Sequence, residues 1–243
     1  MKNFTGICFK MLPTTLHIAL DFFRLFYPKN CAGCNTPLVK NEAYVCLKCL
    51  FDLPYTNFEK LKDNPAEELF YGRVNIEFAA AILFFSKHES VQHILHHIKY
   101  GEYKALGEYM GRVMGERLQQ DSLYAPIDLI IPVPLHPRKE HIRGYNQSKL
   151  LADGMSEVLK IPVASKLLLR KINTDTQTKK SRIERWENVE HAFKVLKPDQ
   201  LIGKHILLID DVLTTGATLE ACAQTLLQSA DCKVSIITLA MAH

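Results

Sequence analysis

Two adjacent carboxylates, Asp210 and Asp211, directly follow four consecutive apolar residues, 206–209. Such an apolar run is typical of a strand that is buried on both faces of a parallel sheet, and open α/β sheets bind ligands at the carboxyl ends of such strands. Past a two-residue spacer, a helical pattern opens with Thr214, Thr215, Gly216, Ala217 and Thr218. Free backbone N–H groups and hydroxyls at a helix start can bind phosphate. The segment therefore predicts a phosphate site beside two acids.

Two acids beside a phosphate site favour a ligand that also carries a ribose diol and a divalent metal. Hydroxyls donate to carboxylates, and Mg²⁺ prefers oxygen ligands. 5-Phosphoribosyl-1-pyrophosphate (PRPP) has all three features. The alternative is a buried strand that ends in a solvated Asp-Asp turn. A Walker-type ATPase loop is excluded, because no Gly-Lys-Ser or Gly-Lys-Thr follows the turn.

A first basic segment is predicted to be a loop stiffened by prolines, and it carries Arg138, Lys139 and Arg143. It lies between a strand predicted to end at Val133 and a helix predicted to begin around Asn146, which again places cations at the carboxyl end of a strand. Arginine and lysine bind phosphate groups through charge-assisted hydrogen bonds, so pyrophosphate is the natural ligand. A solvated basic loop is the alternative.

A second basic segment, residues 165–185, contains seven Lys and Arg against two acids, whereas the whole chain has a net charge of +4. Its polar composition is typical of a loop that closes over a polyanionic substrate. It could equally contact the phosphates of single-stranded DNA. The residues assigned to that contact are Arg170, Lys171, Lys179, Lys180, Arg182 and Arg185.

Four of the seven cysteines form two Cys-x-x-Cys pairs, Cys31 with Cys34 and Cys46 with Cys49. Two such turns supply the four thiolates of a structural zinc site and leave no open position for catalysis. A bare reduced tetrathiol and an iron centre are the alternatives. A redox role is disfavoured, since neither pair opens a helix after a strand.

Three histidines lie on the next predicted helix, where His93 and His97 are four residues apart. No third ligand is evident nearby, and the helix has a separate apolar face. We therefore expect solvated histidines rather than a second metal site.

The elements that must position these residues alternate along the chain. An amphipathic helix is predicted over residues 14–27, packed against protein rather than lipid. Further helices are expected from Ser90 to Gly101, around 106–114, 150–158 and 219–226. Strands are expected at 78–85, 127–133, 161–163, 166–170, 206–209 and 234–239. This alternation predicts an α/β fold with a mostly parallel sheet flanked by helices.

Composition sets the outer limits. An apolar fraction of 47% and a charged fraction of 23% are those of a globular chain with a real core. No apolar run reaches the roughly 18 residues that span a bilayer. An odd number of cysteines argues against complete disulfide pairing, so we expect a cytoplasmic protein with reduced or metal-bound thiols. We place the zinc module at residues 1–60 and the α/β domain at 61–243.

The chain resembles the ComF family of competence-associated, amidophosphoribosyltransferase-like proteins. The resemblance rests on the apolar strand with its diacid loop, and on the segments Pro132-Val-Pro-Leu-His-Pro-Arg, Arg143-Gly-Tyr-Asn-Gln-Ser, Gln177-Thr, Arg185, Asn188 and Phe193, and on the cysteine module. One departure is Lys139, which stands where a second arginine is usual and which softens phosphate contact.

The resemblance implies a type I phosphoribosyltransferase fold and a PRPP site. Asp210 and Asp211 would hold the ribose hydroxyls, and residues 214–218 would hold the 5-phosphate. Mg²⁺ would accompany PRPP, and Lys99 would reach its pyrophosphate together with Arg138 and Arg143.

The biological role implied by the resemblance is DNA uptake and natural transformation, with uptake proteins and single-stranded DNA as partners. The alternative is a catalytically active, Mg²⁺-dependent phosphoribosyltransferase of nucleotide metabolism whose acceptor the sequence does not name. Residues 1–75 are expected to cover the carboxyl ends of the strands, since few residues follow the last predicted strand.

Overall fold

The computed structural model describes residues 29–85, 89–101, 103–120, 127–171 and 192–242. The described residues form six strands: β1 (Phe78–Phe85), β2 (Leu129–Pro132), β3 (Leu168–Arg170), β4 (Phe193–Val195), β5 (His205–Leu213) and β6 (Lys233–Ala242). They also form seven α-helices: α1 (Leu47–Asp52), α2 (Pro65–Glu68), α3 (Glu89–Tyr100), α4 (Lys104–Gln119), α5 (Pro137–Arg143), α6 (Gln147–Leu159) and α7 (Ala217–Ser229). Short 3₁₀ turns lie at Phe58–Lys60 and Pro198–Leu201.

A four-stranded parallel sheet in the order β1-β6-β5-β2 forms the centre of the fold. All four strands point the same way, so their carboxyl ends meet at one edge. The flanking helices bury an apolar core against this sheet. The predicted α/β class with a mostly parallel sheet is confirmed.

Several strands and helices begin or end at other residues than the sequence predicts. Strand β5 continues past its apolar run to Leu213, so Asp210 lies inside the hydrogen-bonded ladder and pairs with Thr238 of β6. The predicted strand at 161–163 is reduced to one bridge between Val163 and Ile130, and helix α3 begins at Glu89, one residue before the predicted cap.

The predicted basic loop is instead helix α5. His136 caps its start by accepting the Arg138 N–H, Pro137 occupies the first helical position, and Gly144 ends it with a φ of 76°. Proline is well tolerated at the first position of a helix, where its missing N–H costs nothing. The prolines of this segment therefore start a helix rather than stiffen a loop.

Residues before β1 extend the sheet on its outer side. The Thr56 N–H donates to the Ile82 carbonyl and the Phe84 N–H donates to the Pro54 carbonyl, while Tyr55 forms an antiparallel bridge with Leu83. Strand β1 is therefore not left as an open edge. The proposed domain division near residue 60 stays a prediction.

Helices α4 and α6 pack with their backbones in contact. A Cβ added at Gly154 would lie 1.9 Å from the Glu108 carbonyl oxygen, and one added at Gly111 would lie 2.2 Å from the Leu151 oxygen. This close approach fixes α6, which contacts β2 and β5 and carries Ser148 at its start.

Some predictions fall outside the described residues: the helix at 14–27, and Lys179, Lys180, Arg182 and Arg185 of the second basic segment. Within the described ranges, no helix is long and apolar enough to cross a membrane.

Candidate functional site

The two carboxylates lie near the carboxyl end of β5 and have different partners. Asp210 Oδ1 accepts hydrogen bonds from the Ser148 hydroxyl at 2.7 Å and from the Asp211 N–H at 2.9 Å. Asp211 is buried, and its Oδ2 lies 3.1 Å from the Lys99 ammonium. Strand β5, helix α6 and helix α3 thus bring together residues that are distant in sequence.

The surroundings of this pair favour the protonated form of Asp210. Burial, reinforced by the neighbouring Asp211 carboxylate, raises the pKa of Asp210 to about 7. The hydrogen bonds from Ser148 and from the Asp211 N–H, and the charge of Lys99, oppose this rise. An aspartate that holds its proton near neutral pH is a common feature of binding and catalytic sites.

Asp211 has a free acceptor. Its buried Oδ2 receives no hydrogen bond of acceptable geometry, although Lys99 is close enough for an ion pair. A buried carboxylate oxygen without a donor is costly, and a ribose hydroxyl or a hydrated Mg²⁺ would satisfy it. The donor set therefore fits a metal-bound sugar phosphate.

Apolar packing and hydrogen bonds fix the end of helix α3, where Lys99 lies. Helix α3 buries Val91, Ile94, Leu95 and Ile98. The Tyr145 hydroxyl donates to the Ile98 carbonyl at 2.7 Å and lies 3.1 Å from the Gly101 carbonyl. Tyr145 is thus a positioning residue that pattern analysis missed, as is Ser148. Both lie in the Arg-Gly-Tyr-Asn-Gln-Ser segment, where their roles depend on tertiary contacts.

The predicted phosphate loop has the conformation that an anion site needs. Gly216 has a φ of 75° and precedes the first turn of α7, while Thr214, Thr215 and Thr218 are exposed. The N-terminus of this 13-residue helix presents unpaired N–H groups toward solvent. A Cβ at position 216 would lie 3.2 Å from the ring of buried Phe70. Glycine is therefore required here by both conformation and space.

Two cations of the first basic segment lie near Lys99. A cavity of about 340 Å³ is lined by Lys99, Tyr100, Gly101, Lys139, Ile142, Arg143 and Tyr145. Arg143 stacks over Tyr100 at 5.2 Å and donates to Gln147. Lys139 lines the cavity although the sequence marked it as the weaker substitute, whereas Arg138 is exposed on α5 and is not among the lining residues.

The four predicted metal ligands converge. The sulfur atoms of Cys31, Cys34, Cys46 and Cys49 lie within 4.8 Å of one another, and those of Cys34 and Cys46 are 3.8 Å apart. A tetrahedral zinc ion with bonds of about 2.3 Å requires sulfur separations of about 3.8 Å, so the geometry fits. The N–H groups of Gly33 and Cys46 point to the Cys31 sulfur at 3.3 Å, as expected for a thiolate ligand.

The cysteine module packs on the helix that carries Lys99. His93 donates from Nδ1 to the Gly33 carbonyl at 2.9 Å, and His97 lines a cavity of about 520 Å³ together with Cys31. His93 nevertheless stays exposed and His97 is half-buried, so the expectation of solvated histidines is not contradicted, although His93 also bonds to the module. Burial, with help from the neighbouring histidines, lowers the pKa of His97.

Residues 29–75 reach the site at two places. The cysteine module contacts α3, and Phe70 and Arg73 contact the phosphate loop, where Arg73 donates to the Thr215 carbonyl at 3.1 Å. Whether the segment also covers the carboxyl ends of the strands stays a prediction. Of the residues assigned to DNA contact, Arg170 and Lys171 lie at the end of β3, where Arg170 stacks over Phe193 at 5.6 Å.

Comparison with known proteins agrees with this geometry. Residues 146–243, which include Ser148, both carboxylates and the phosphate loop, match the family model of the phosphoribosyl transferase domain. The DNA utilization protein YhgH of Escherichia coli K12 is 38% identical over 109 residues, which are 45% of this chain and 47% of YhgH. Competence protein F of Haemophilus influenzae is 36% identical over 100 residues, which are 41% of this chain and 44% of competence protein F.

The chain resembles ComF-type proteins. Competence protein ComFC of Bacillus subtilis also matches, at 35% identity over 41% of this chain and 38% of its own. Among solved structures, the glutamine PRPP amidotransferase of B. subtilis aligns with 59% of this chain and 30% of its own, at 18% identity and a TM-score of 0.42. The predicted resemblance to ComF proteins is confirmed by these relatives, and residues 146–243 match a phosphoribosyl transferase domain. The chain spans about half the length of the curated relatives it matches first.

The raised pKa of Asp210 predicts how the stability of this protein depends on pH. The pKa is about 7 in the folded protein, against about 3.9 in an unfolded chain. The protonated Asp210 side chain contributes its full share to the free energy of unfolding below about pH 4. This contribution is lost as the pH rises to about 7, because between these values Asp210 ionises in the unfolded chain and stays protonated in the folded protein. We expect the free energy of unfolding to fall over this range and Asp210→Asn to flatten the fall. Urea denaturation across the range measures it.

The exposed Asp199 provides the control. Asp199→Asn should leave the slope of stability against pH as it is in the unchanged protein. Equal slopes for the unchanged protein and Asp210→Asn would contradict a raised pKa at Asp210.

Proposed function

We propose that this protein binds PRPP together with Mg²⁺ at the carboxyl ends of β5 and β2. One observation carries the proposal: two adjacent carboxylates, a lysine paired to one of them and an unobstructed phosphate loop lie at the same edge of the sheet. These residues support a ligand in which a sugar diol lies between a phosphate at one end and a pyrophosphate at the other.

Each part of PRPP has a matching group. The ribose hydroxyls would donate to Asp210 and to the free oxygen of Asp211. The 5-phosphate would lie on the loop Thr214, Thr215, Gly216, Ala217 and Thr218. Bound Mg²⁺ would neutralise pyrophosphate charge, and Lys99 would exchange its ion pair with Asp211 for the pyrophosphate, with Arg143, Lys139 and Arg138 close by.

The cellular role that we propose is DNA uptake and natural transformation in the cytoplasm. It is supported by the names of the relatives, which are a competence protein, a ComFC protein and a DNA utilization protein. Single-stranded DNA would contact the second basic segment, of which Arg170 and Lys171 are described. Such contacts are mainly electrostatic.

The alternative function is phosphoribosyl transfer. A nucleophilic acceptor would form a bond to C1 of the ribose as the bond from C1 to the pyrophosphate oxygen breaks, and the acceptor's proton would leave to solvent or to a nearby base. The protein's contribution would be to fix the ribose and to stabilise the leaving pyrophosphate, so no side-chain nucleophile is needed.

The two functions are separated by measuring pyrophosphate release from PRPP and Mg²⁺, with and without ammonia or free bases. Release that depends on an acceptor supports the enzyme. Saturable PRPP binding without any release supports the binding module.

The PRPP proposal predicts that Asp210→Asn combined with Asp211→Asn lowers PRPP affinity by about a hundredfold or more, since two hydrogen bonds to charged groups are lost. The variant should remain folded, because it removes the repulsion between two adjacent acids and keeps side chains of nearly the same shape. Isothermal titration calorimetry with Mg²⁺ present measures the affinity, and circular dichroism checks the fold.

The matched control combines Asp199→Asn with Asp231→Asn, which removes two exposed carboxylates outside the site. It should bind PRPP like the unchanged protein. A folded double variant at positions 210 and 211 with undiminished affinity would refute the site.

We also propose that the cysteine cluster binds structural zinc and organises an N-terminal module over residues 1–60, before the phosphoribosyltransferase domain at 61–243. So short a segment cannot hold itself together without a metal or a neighbouring core. Cys31→Ser should lower zinc content well below the roughly one ion per chain expected for a four-cysteine site. It should also loosen the module's packing on α3.

Metal analysis by mass spectrometry measures this directly. Cys232→Ser is the control, because Cys232 lies outside the cluster. Full zinc occupancy in Cys31→Ser would contradict a four-cysteine site.

A further inference from the structure

The phosphate loop is braced by a residue that lies 142 positions upstream of it. Arg73 donates from Nη1 to the carbonyls of Leu69 at 2.8 Å and Thr215 at 3.1 Å, and its Nη2 forms an ion pair with Glu220. The Arg73 carbonyl in turn accepts a hydrogen bond from the Gln224 side chain at 3.1 Å. A single guanidinium therefore connects the loop, the first turn of α7 and the turn after α2.

The bond to the Thr215 carbonyl fixes the orientation of one peptide in the loop. In a trans peptide the C=O and the following N–H point in opposite directions. With the Thr215 oxygen directed at Arg73, the Gly216 N–H points away from Arg73. Gly216 takes a φ of 75°, and Phe70 packs against it, so the peptide is held on both sides.

The ion pair between Arg73 and Glu220 offsets a negative charge near the phosphate loop. Glu220 is buried and lies in the first turn of α7, where a bound phosphate would be close to it. An uncompensated carboxylate there would repel a phosphate and oppose the favourable field of the helix N-terminus. Arg73 pairs with this charge from outside the loop.

We propose that Arg73 is a positioning residue for the 5-phosphate of the ligand. It orients the peptide between Thr215 and Gly216 so that an N–H faces the phosphate, and it neutralises Glu220 beneath the loop. The inference rests on the proposed PRPP site and adds to it a determinant that acts on one end of the ligand only. It predicts that Arg73 matters for the 5-phosphate and not for the pyrophosphate.

The test compares three ligands by calorimetry: PRPP with Mg²⁺, ribose 5-phosphate, and pyrophosphate with Mg²⁺. Arg73→Gln should weaken ribose 5-phosphate and PRPP by about tenfold, the size of one lost hydrogen bond to a charged group. Its affinity for pyrophosphate should stay within about twofold. Lys99→Ala is the reciprocal variant, and it should weaken pyrophosphate while sparing ribose 5-phosphate. A merely structural role of Arg73 would weaken all three ligands alike.

The two effects of Arg73 are separated with Glu220→Gln. This variant keeps the bond to Thr215, so it should bind ribose 5-phosphate at least as well as the unchanged protein. The double variant Arg73→Gln with Glu220→Gln should still bind it weakly, because the peptide is no longer oriented. If the double variant regained full affinity, orientation of the peptide would be ruled out. The double variant leaves no unpaired buried carboxylate, so it carries the test if Arg73→Gln alone does not fold.

The outcomes also separate this inference from the proposed function. An unchanged protein that binds none of the three ligands would refute the PRPP site and the inference with it. Binding by the unchanged protein, with equal affinity for ribose 5-phosphate in Arg73→Gln, would refute the inference alone.

Discussion

Two like charges placed side by side at the end of an apolar strand are the constraint on which the rest of the site depends. Asp210 and Asp211 lie side by side in β5, where burial raises the pKa of Asp210. Separate elements supply partners for the two acids. Ser148 of α6 and the Asp211 N–H donate to Asp210, and Lys99 of α3 pairs with Asp211. One acceptor on Asp211 is left over for a ligand.

Helix α3 links the two chemical centres of the molecule. One side of it receives the cysteine module through the bond from His93 to the Gly33 carbonyl, and its last turn carries Lys99 to Asp211. Tyr145 fixes that last turn by its bonds to two carbonyls. The position of Lys99 therefore depends on packing contacts at both ends of one helix. If the cysteines bind zinc as proposed, the module would add to that rigidity without contacting the ligand.

The parts of the site that could be predicted are those encoded in contiguous residues. The phosphate loop can be identified from the apolar run, the two acids and the Thr-Thr-Gly-Ala-Thr sequence that follow one another. The cysteine cluster can be identified from its two Cys-x-x-Cys pairs, because each of these signals lies within a few positions. The α5 helix was missed because prolines near a helix start resemble those of a loop. The roles of Arg73, Ser148 and Tyr145 could not be found in this way, since each depends on a contact with residues 44 to 147 positions away. Such contacts leave no periodic pattern in the sequence.

In the ligand-free structure, Lys99 and Asp211 satisfy each other only in part, since the two are paired in charge but not in hydrogen-bond geometry. Under the proposed function, a ribose hydroxyl or Mg²⁺ would replace Lys99 at Asp211, and pyrophosphate would take the released lysine. Either exchange alone leaves a charge without its partner, which is the half-buried Lys99 ammonium after the first and the buried Asp211 carboxylate after the second. Leaving such a charge unpaired is costly. Ribose 5-phosphate supplies only the first exchange and pyrophosphate only the second. A ligand that joins both groups completes the two exchanges together, so the arrangement of these charges favours PRPP over either of its halves.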